Sequence, residues 1–264
     1  MSAAAVPVTL DVTDTAPIPF GRLVLVELRK AFDTRSGRWL IGVTAGLALV
    51  ADLLIAIVLA VQDEKLQYGD LVAGAAFTCS VLLPIVGIML VTSEWSQRTA
   101  MTTFTLEPRR MRVISAKLLA GVLLTAFIIA FALVVGLLCN LLYGVLGGSL
   151  DWHFGWRGFG AFIATQTMTM IGGFALACLL LNTPAAIVGY FVYKWMLPVI
   201  FAFGSLMAWF EKISPWLDFQ SAQGYLYEDP MTAERWGQLA VSGFIWLVVP
   251  FVIGIWRIRR AEVK

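Results

Sequence analysis

The sequence predicts an all-α membrane protein with six membrane-spanning helices, and three observations predict it. Of its 264 residues, 59% are apolar and only 14% are charged, where a soluble domain carries roughly 25% charged residues. The mean hydropathy is +0.83. The apolar residues gather in long runs broken by short polar stretches, and runs of about 20 residues are what a helix needs to cross a bilayer.

The runs cover residues 40–61, 71–92, 118–146, 158–181, 185–209 and 239–256. Backbone polar groups in hydrocarbon must bond within their own segment, so these runs predict helices rather than strands. The third is longer than one crossing requires, so it tilts or extends past the bilayer. Pro84, Pro198 and Pro250 fall inside the runs and predict kinks, with neighbouring helices covering the carbonyls that proline leaves free. Gly144 with Gly148, and Gly172 with Gly173, predict close helix contacts.

Fourteen of the 19 Lys and Arg residues lie before the first run, between the second and third, or after the sixth. That bias predicts both termini in the cytoplasm, which requires an even number of crossings. Residues 1–16 lack the basic start and apolar stretch of a signal peptide and read as a disordered cytoplasmic tail; residues 17–264 read as a single transmembrane domain. The net charge of +2 and its placement beside apolar runs argue against a nucleic-acid partner. Cys79, Cys139 and Cys178 all sit inside apolar runs without C-x-x-C spacing, so they predict small buried hydrophobes rather than a disulfide framework or zinc site.

Three segments outside the runs carry information. Residues 17–39 alternate Phe20, Leu23, Val24, Leu28 and Phe32 with Glu27, Arg29, Lys30 and Arg35, which predicts an amphipathic helix lying in the membrane interface. Residues 93–117 form a highly charged cytoplasmic loop. Residues 210–238 form a long outer segment containing Trp216, Phe219, Tyr225, Tyr227 and Trp236, aromatic enough to fold back toward the membrane.

Catalytic chemistry has no visible residues. His153 is the single histidine, too few for a triad or a zinc site. There is no paired-aspartate motif for magnesium pyrophosphate and no G-x-x-x-x-G-K-[ST] phosphate loop. The reading is therefore a non-enzyme with no metal and no cofactor of its own, and any energy from ATP must come from another chain. Asp52 and Lys194 are the two ionisable residues deep in the runs. Counted at about 1.5 Å per residue they lie about 18 and 14 Å from the inner face, so they could meet near the midplane. Each needs a partner or a watery cavity: either a pair that fixes helix packing, within or between protomers, or a polar point in a translocation path.

The stretch Ser93-Glu94-Trp95-Ser96-Gln97-Arg98-Thr99, continuing through Phe104-Thr105-Leu106-Glu107-Pro108-Arg109-Arg110 to Ala116-Lys117, resembles the cytoplasmic loop of ABC-2 permeases, the membrane subunits of ATP-binding-cassette exporters. In that family a Glu closes helix two, a short helix follows, and a Pro-Arg element leads to an Ala-Lys pair opening helix three. Glu27-Leu28-Arg29-Lys30 with Arg35 looks like the family's interfacial helix, and six spans with a long outer segment before the last fit as well. The resemblance implies an ABC-2, type V exporter fold in a prokaryotic inner membrane. It implies a homodimer or heterodimer of permeases bound to two separate ATPase subunits that carry ATP and Mg. By the same resemblance Glu94, Arg98, Thr99, Thr102, Thr103, Glu107, Arg109 and Arg110 would couple the ATPase to the spans.

Physically, a helix that carries force needs a rigid body, polar groups for its partner, and anchors at both ends. Residues 96–106 can supply the first two, and Arg109, Arg110, Arg112 and Lys117 can hold the exit at headgroup level; these four can equally be topology anchors alone. The apolar bundle suits hydrophobic or amphipathic cargo such as a drug, lipid or peptide. The alternative is a non-transport membrane scaffold or an immunity-type sensor.

Overall fold

The structure is a computed structural model describing residues 18–62, 65–145, 148, 155–204, 206–228 and 230–260. The tail 1–16 and His153 lie outside these residues. Every regular element is helical among the described residues. Six helical segments are long and apolar enough to cross a membrane: Arg35–Val61, Tyr68–Ser96, Arg110–Val145, Trp156–Leu180, Thr183–Gly204 and Ala233–Arg260. By length and composition the chain is a multi-pass membrane protein.

Helix α1 (Phe20–Asp33) precedes the first span, α2 (Arg35–Val61). Thr34 separates them in an extended conformation and caps α2, its hydroxyl accepting from the Gly37 amide at 3.2 Å. A side chain at Gly37 would overlap the Ala31 carbonyl, so the corner requires glycine. The first span thus begins five residues earlier than its apolar run, and Arg35 belongs to α2 rather than to the preceding helix. The second span, α3 (Tyr68–Ser96), opens with Asp70 accepting from the Gln67 amide, a reciprocal cap that satisfies otherwise orphaned donors. A seven-residue helix, α4 (Ala100–Leu106), connects it to α5 (Arg110–Val145). At about 1.5 Å per residue α5 is about 54 Å long, well beyond the hydrocarbon core, so its ends emerge from it.

The fourth span, α6 (Trp156–Leu180), ends at Leu181 with φ of 51°. Asn182 then caps α7 (Thr183–Phe191) by accepting from the Ala185 amide. The fifth span continues from α7 through a widened π turn at Val192–Met196 into α8 (Leu197–Gly204). The outer segment forms α9 (Ala208–Leu217) and α10 (Phe219–Gly224), followed by a single 3-10 turn at Tyr225–Tyr227. The sixth span comprises α11 (Ala233–Gly243), a second π turn at Phe244–Val248, and α12 (Val249–Arg260).

Each proline in a span is accommodated in a definite way. A proline gives no amide to the carbonyl four residues back and its ring crowds that oxygen. Pro198 and Pro250 lie just after the two π turns, where an extra residue opens the ladder at the affected carbonyls. Pro84 sits in α3, in regular helix, and the carbonyl it leaves free is that of Ser80. The Tyr190 hydroxyl, from α7, donates to that oxygen at 3.2 Å.

Helix α3 is the centre of the bundle, with α2, α5, α6 and α7 against it. Its crossing with α6 is close. A β-carbon on Gly173 would come within 2.7 Å of the Pro84 α-carbon, and one on Gly87 within 2.6 Å of the Met170 carbonyl. Small residues permit this approach, and dispersion between the paired surfaces then holds the helices in lipid. Leu83, Phe162, Met170 and Phe174 fill the contact and are fully buried. The second, third and fourth spans bury 56%, 44% and 50% of their apolar windows, against 17%, 11% and 17% for the first, fifth and sixth, which sets the former at the centre and the latter on the outside.

The outer segment folds back into the bundle. Asp218 caps α10 through its carboxylate, which accepts from the Gln220 and Ser221 amides. Phe219 packs with Ala222 and Leu239, and the Trp246 indole donates to the Leu217 carbonyl at 2.8 Å.

Replacing Tyr190 by Phe should destabilise the detergent-solubilised protein by about 1 kcal/mol, because it orphans the Ser80 carbonyl. In a Pro84→Ala background that carbonyl regains an amide donor, so the same change should cost measurably less in thermal unfolding.

Candidate functional site

The end of the bundle that carries α1 and α4 holds a cluster of four charges from three helices, three of them buried and Lys30 partly exposed. Glu27 and Lys30 are three residues apart on α1, one helical turn, and so share a face. Glu94 lies in the last turn of α3 and Lys117 in the second turn of α5. Lys30 Nζ contacts Glu27 at 2.8 Å and Glu94 at 2.6 Å; Lys117 Nζ contacts the same two carboxylates at 2.7 and 3.1 Å. Acid and base alternate around the ring, so each carboxylate meets both ammonium groups and the net charge is zero. Glu27, Glu94 and Lys117 are 5%, 6% and 4% exposed, an environment in which an unmatched charge would be costly. Burial by itself lowers the proton affinity of Lys30, but contact with Glu27 and Glu94 outweighs it and holds the group above the ordinary lysine value of 10.5.

Helix α4 is joined to this cluster at its middle. The Thr103 hydroxyl donates to Glu94 at 3.2 Å, and the Phe104 ring lies 6.3 Å from that of Trp95. The turn from α3 into α4 has Arg98 in the left-handed conformation at φ of 58°. The Thr99 amide bonds the Glu94 carbonyl and the Arg98 amide bonds that of Trp95, the paired bonds of a Schellman helix end, in which the left-handed position is usually glycine.

The exit of α4 is held separately. Buried Glu107 accepts from Arg112 at 2.6 Å and from the Arg109 amide at 3.3 Å. Arg112 also donates to the Ile18 carbonyl just before α1 at 2.7 Å. Arg110 lies 5.1 Å over the Phe104 ring and donates to the Ile258 carbonyl at 2.6 Å, and Arg257 donates to the Leu179 carbonyl. Both of those carbonyls belong to last turns, where the helix dipole favours a cation. A chain of hydroxyls, Ser96 to Thr183 to Thr92, joins the adjoining ends of α3 and α7 with 2.8 Å at each step.

Between α1, α2, α3, α4 and α5 lies a cavity of about 660 Å³, whose wall includes Glu27, Lys30, Glu94, Thr99, Thr102 and Thr103. Much of the surface of α4 and its flanks is nonetheless open: Arg98, Thr102 and Arg109 are exposed, as are Met101 at 56% and Leu106 at 70%, with Thr102 and Leu106 at the cavity mouth.

The residues singled out from sequence therefore separate into groups. Glu27, Lys30, Glu94 and Thr103 converge, joined by Lys117, which is buried in the ring. Glu107, Arg109 and Arg110 form the exit, with Arg112. Arg98 and Thr99 lie on the turn into α4 and Thr102 in its first helical turn, all three exposed, with Thr99 and Thr102 on the rim of the cavity. Arg29 of α1 and Arg35 of α2 make no contact with the ring. Lys117 could have been found from its position after Val113 and Ile114 on a face that turns inward, and Glu27 from its one-turn spacing from the buried Val24.

Asp52 and Lys194 do not pair within the chain. Asp52 is fully buried where α2 meets α3 and α5, beside Gly74 and Gly136, and its oxygens have no hydrogen-bond partner among the described residues. Lys194 instead donates to Gln220 of α10 at 3.0 Å. No three His, Cys, Asp or Glu side chains converge as a metal site among the described residues. No family model matches the chain, and no curated protein does so.

Two outcomes test the ring. Lys117→Met leaves a buried carboxylate short of a partner and should cost about 3 to 5 kcal/mol in unfolding free energy, whereas adding Glu27→Gln to it should recover a measurable part. Because the proton affinity of Lys30 is raised in the folded state, its stabilisation is complete below pH 10.5 and is lost as pH climbs through the folded value. The fall in melting temperature at alkaline pH should be shallower in Lys30→Met.

Proposed function

We propose that the chain is the membrane-spanning permease subunit of an ABC-2 exporter in a prokaryotic inner membrane. In this reading both termini face the cytoplasm, α1 lies in the cytoplasmic interface, and α4 is the coupling helix that docks on a separate ATPase. That ATPase binds ATP and Mg, and the working assembly is two permeases with two ATPases. The cargo is hydrophobic or amphipathic.

One observation carries this reading: α4 is tied at mid-length to one span and at its exit to another, while much of its surface stays open. At mid-length Thr103 and Phe104 bind it to Glu94 and Trp95 of α3. At its exit Glu107 binds it to Arg112 of α5. A displacement of α4 therefore moves the inner ends of the second and third spans together, and the ring passes it to α1. The open side offers Arg98 for a carboxylate, with Met101 and Leu106 as apolar anchors. Large exposed apolar side chains on a polar rim are a usual partner surface. The same charge distribution that sets orientation puts α1 and α4 on the cytoplasmic side. Nucleotide binding to the ATPase would bias the bundle between inward- and outward-facing states only through its different affinity for the two.

The experiment is purification in mild detergent of the chain expressed with the phosphate-loop ATPase of a neighbouring reading frame. The ATPase should copurify, and Met101→Glu with Leu106→Glu should abolish its retention while shifting thermal stability by no more than about 0.5 kcal/mol, as expected of exposed positions. Arg98→Gly relieves a left-handed arginine, so it should leave stability within about 1 kcal/mol of the parent and still weaken ATPase retention. Full retention in both variants, or an active chain with no ATPase bound, would rule the reading out.

A further inference from the structure

A second cavity, of about 380 Å³, lies at the other end of the bundle, between α3, α6, the π turn of the fifth span and the refolded outer helix α10. Its size falls in the range of small-ligand sites. Lys194 is the single charged side chain among its described lining residues, and no carboxylate faces it. The nearest acid on α10, Asp218, is already engaged by the Ser221 hydroxyl at 2.6 Å and by two backbone amides.

Lys194 is half-buried within an apolar span, where a lone ammonium costs several kcal/mol unless it is matched. Its hydrogen bond to neutral Gln220 at 3.0 Å uses one of three donors and supplies no counter-charge. Gln166, 3% exposed, reaches the same cavity. Its Nε2 donates to the Ala76 carbonyl at 3.1 Å, while its Oε1 has no partner among the described residues. A buried acceptor left open costs about 1 to 3 kcal/mol, and one that faces a cavity can be met by a ligand hydroxyl. Thr169 adds a further hydroxyl to the lining, and Val72, Ala73 and Ala76 give one wall an apolar surface.

We infer that this cavity binds the anionic headgroup of an amphiphile, a carboxylate or phosphate held by Lys194 and Gln220 with its hydrocarbon chain along α3. The ammonium supplies the charge, the amide and hydroxyl groups set the headgroup's orientation, and α10 closes the site from the outer segment. The geometry asks only for an anion with an apolar tail and holds whether or not the chain exports its ligand. Two sources share that chemistry: a free single-chain amphiphile and an acidic bilayer lipid.

The test uses the full chain in nanodiscs of neutral phosphatidylcholine, with native mass spectrometry and titration of dodecyl phosphate, dodecanoate and dodecyltrimethylammonium. The two anions should bind at least about tenfold more tightly than the cation, the scale of one charge-assisted hydrogen bond. That preference should vanish in Lys194→Met and survive in Lys194→Arg. Since Lys194→Met removes a buried charge, its fold is checked by its melting temperature, and Gln220→Leu gives a second variant in which the preference should fall. Displacement of dodecyl phosphate by added phosphatidylglycerol would identify bilayer lipid as the source, and lack of displacement a free amphiphile. Equal binding of anion and cation, or an anion preference that persists in folded Lys194→Met, would overturn the site.

Discussion

The alternating ring of Glu27, Lys30, Glu94 and Lys117 is the constraint on which the rest of the α4 end depends. Three helices that are distant in sequence each contribute a charge that is expensive to bury alone, and only one relative placement of α1, α3 and α5 matches all four. Buried ion pairs are weak evidence of net stability, because desolvation offsets most of the attraction. Their effect is on the alternatives: a one-turn slip of α1 along α5 would separate Glu27 from Lys117 and leave each with one partner in place of two, Glu27 with Lys30 and Lys117 with Glu94. The ring thereby fixes where α1 lies and where α3 stops, and α4 follows from where α3 stops.

The spans divide between a centre held by close contacts and a periphery that carries the irregular turns. At the crossing of α3 and α6, Gly87 and Gly173 leave no room for a side chain, and Tyr190 supplies the donor that Pro84 took from Ser80. The fifth and sixth spans bury little of their own surface and each contains a π turn ahead of a proline. Interrupted helices at membrane depth are tolerated where protein or a cavity meets their freed polar groups. In the fifth span that place is Lys194, beneath α10. For a transport subunit this division would let outer spans rearrange about a fixed core while the ring end receives the force.

Much of the fold was legible because lipid imposes a single requirement on every span, a long apolar run, and each of the six runs corresponds to one helical segment. Boundaries were less legible. Thr34 starts α2 five residues ahead of its apolar run because a capping hydroxyl and a required glycine, rather than hydropathy, set the break. Glu27 and Lys30 were singled out on the interfacial helix and Glu94 in the charged loop, yet their convergence depends on helix rotation, which sequence distance does not give. The same limit explains Asp52 and Lys194. Their depths along the helix axes were countable, but the directions in which they point were not, and Lys194 turns to α10 while Asp52 faces α3 and α5. The aromatic content of the outer segment suggested a return toward the membrane; its seat under Trp246 and beside Lys194 needed the packed structure.

If α1, α4 and the adjoining turns of α3 and α5 form one mechanical unit, they should open to solvent together. Hydrogen–deuterium exchange by mass spectrometry on Glu94→Gln tests this directly, since the substitution keeps the side chain's shape and removes the charge shared by both lysines. The account predicts that protection falls in concert across α1, α4, the last turn of α3 and the first two turns of α5, with α6 and α12 unchanged. Loss confined to α3, with α1 and α4 as protected as in the parent, would contradict it.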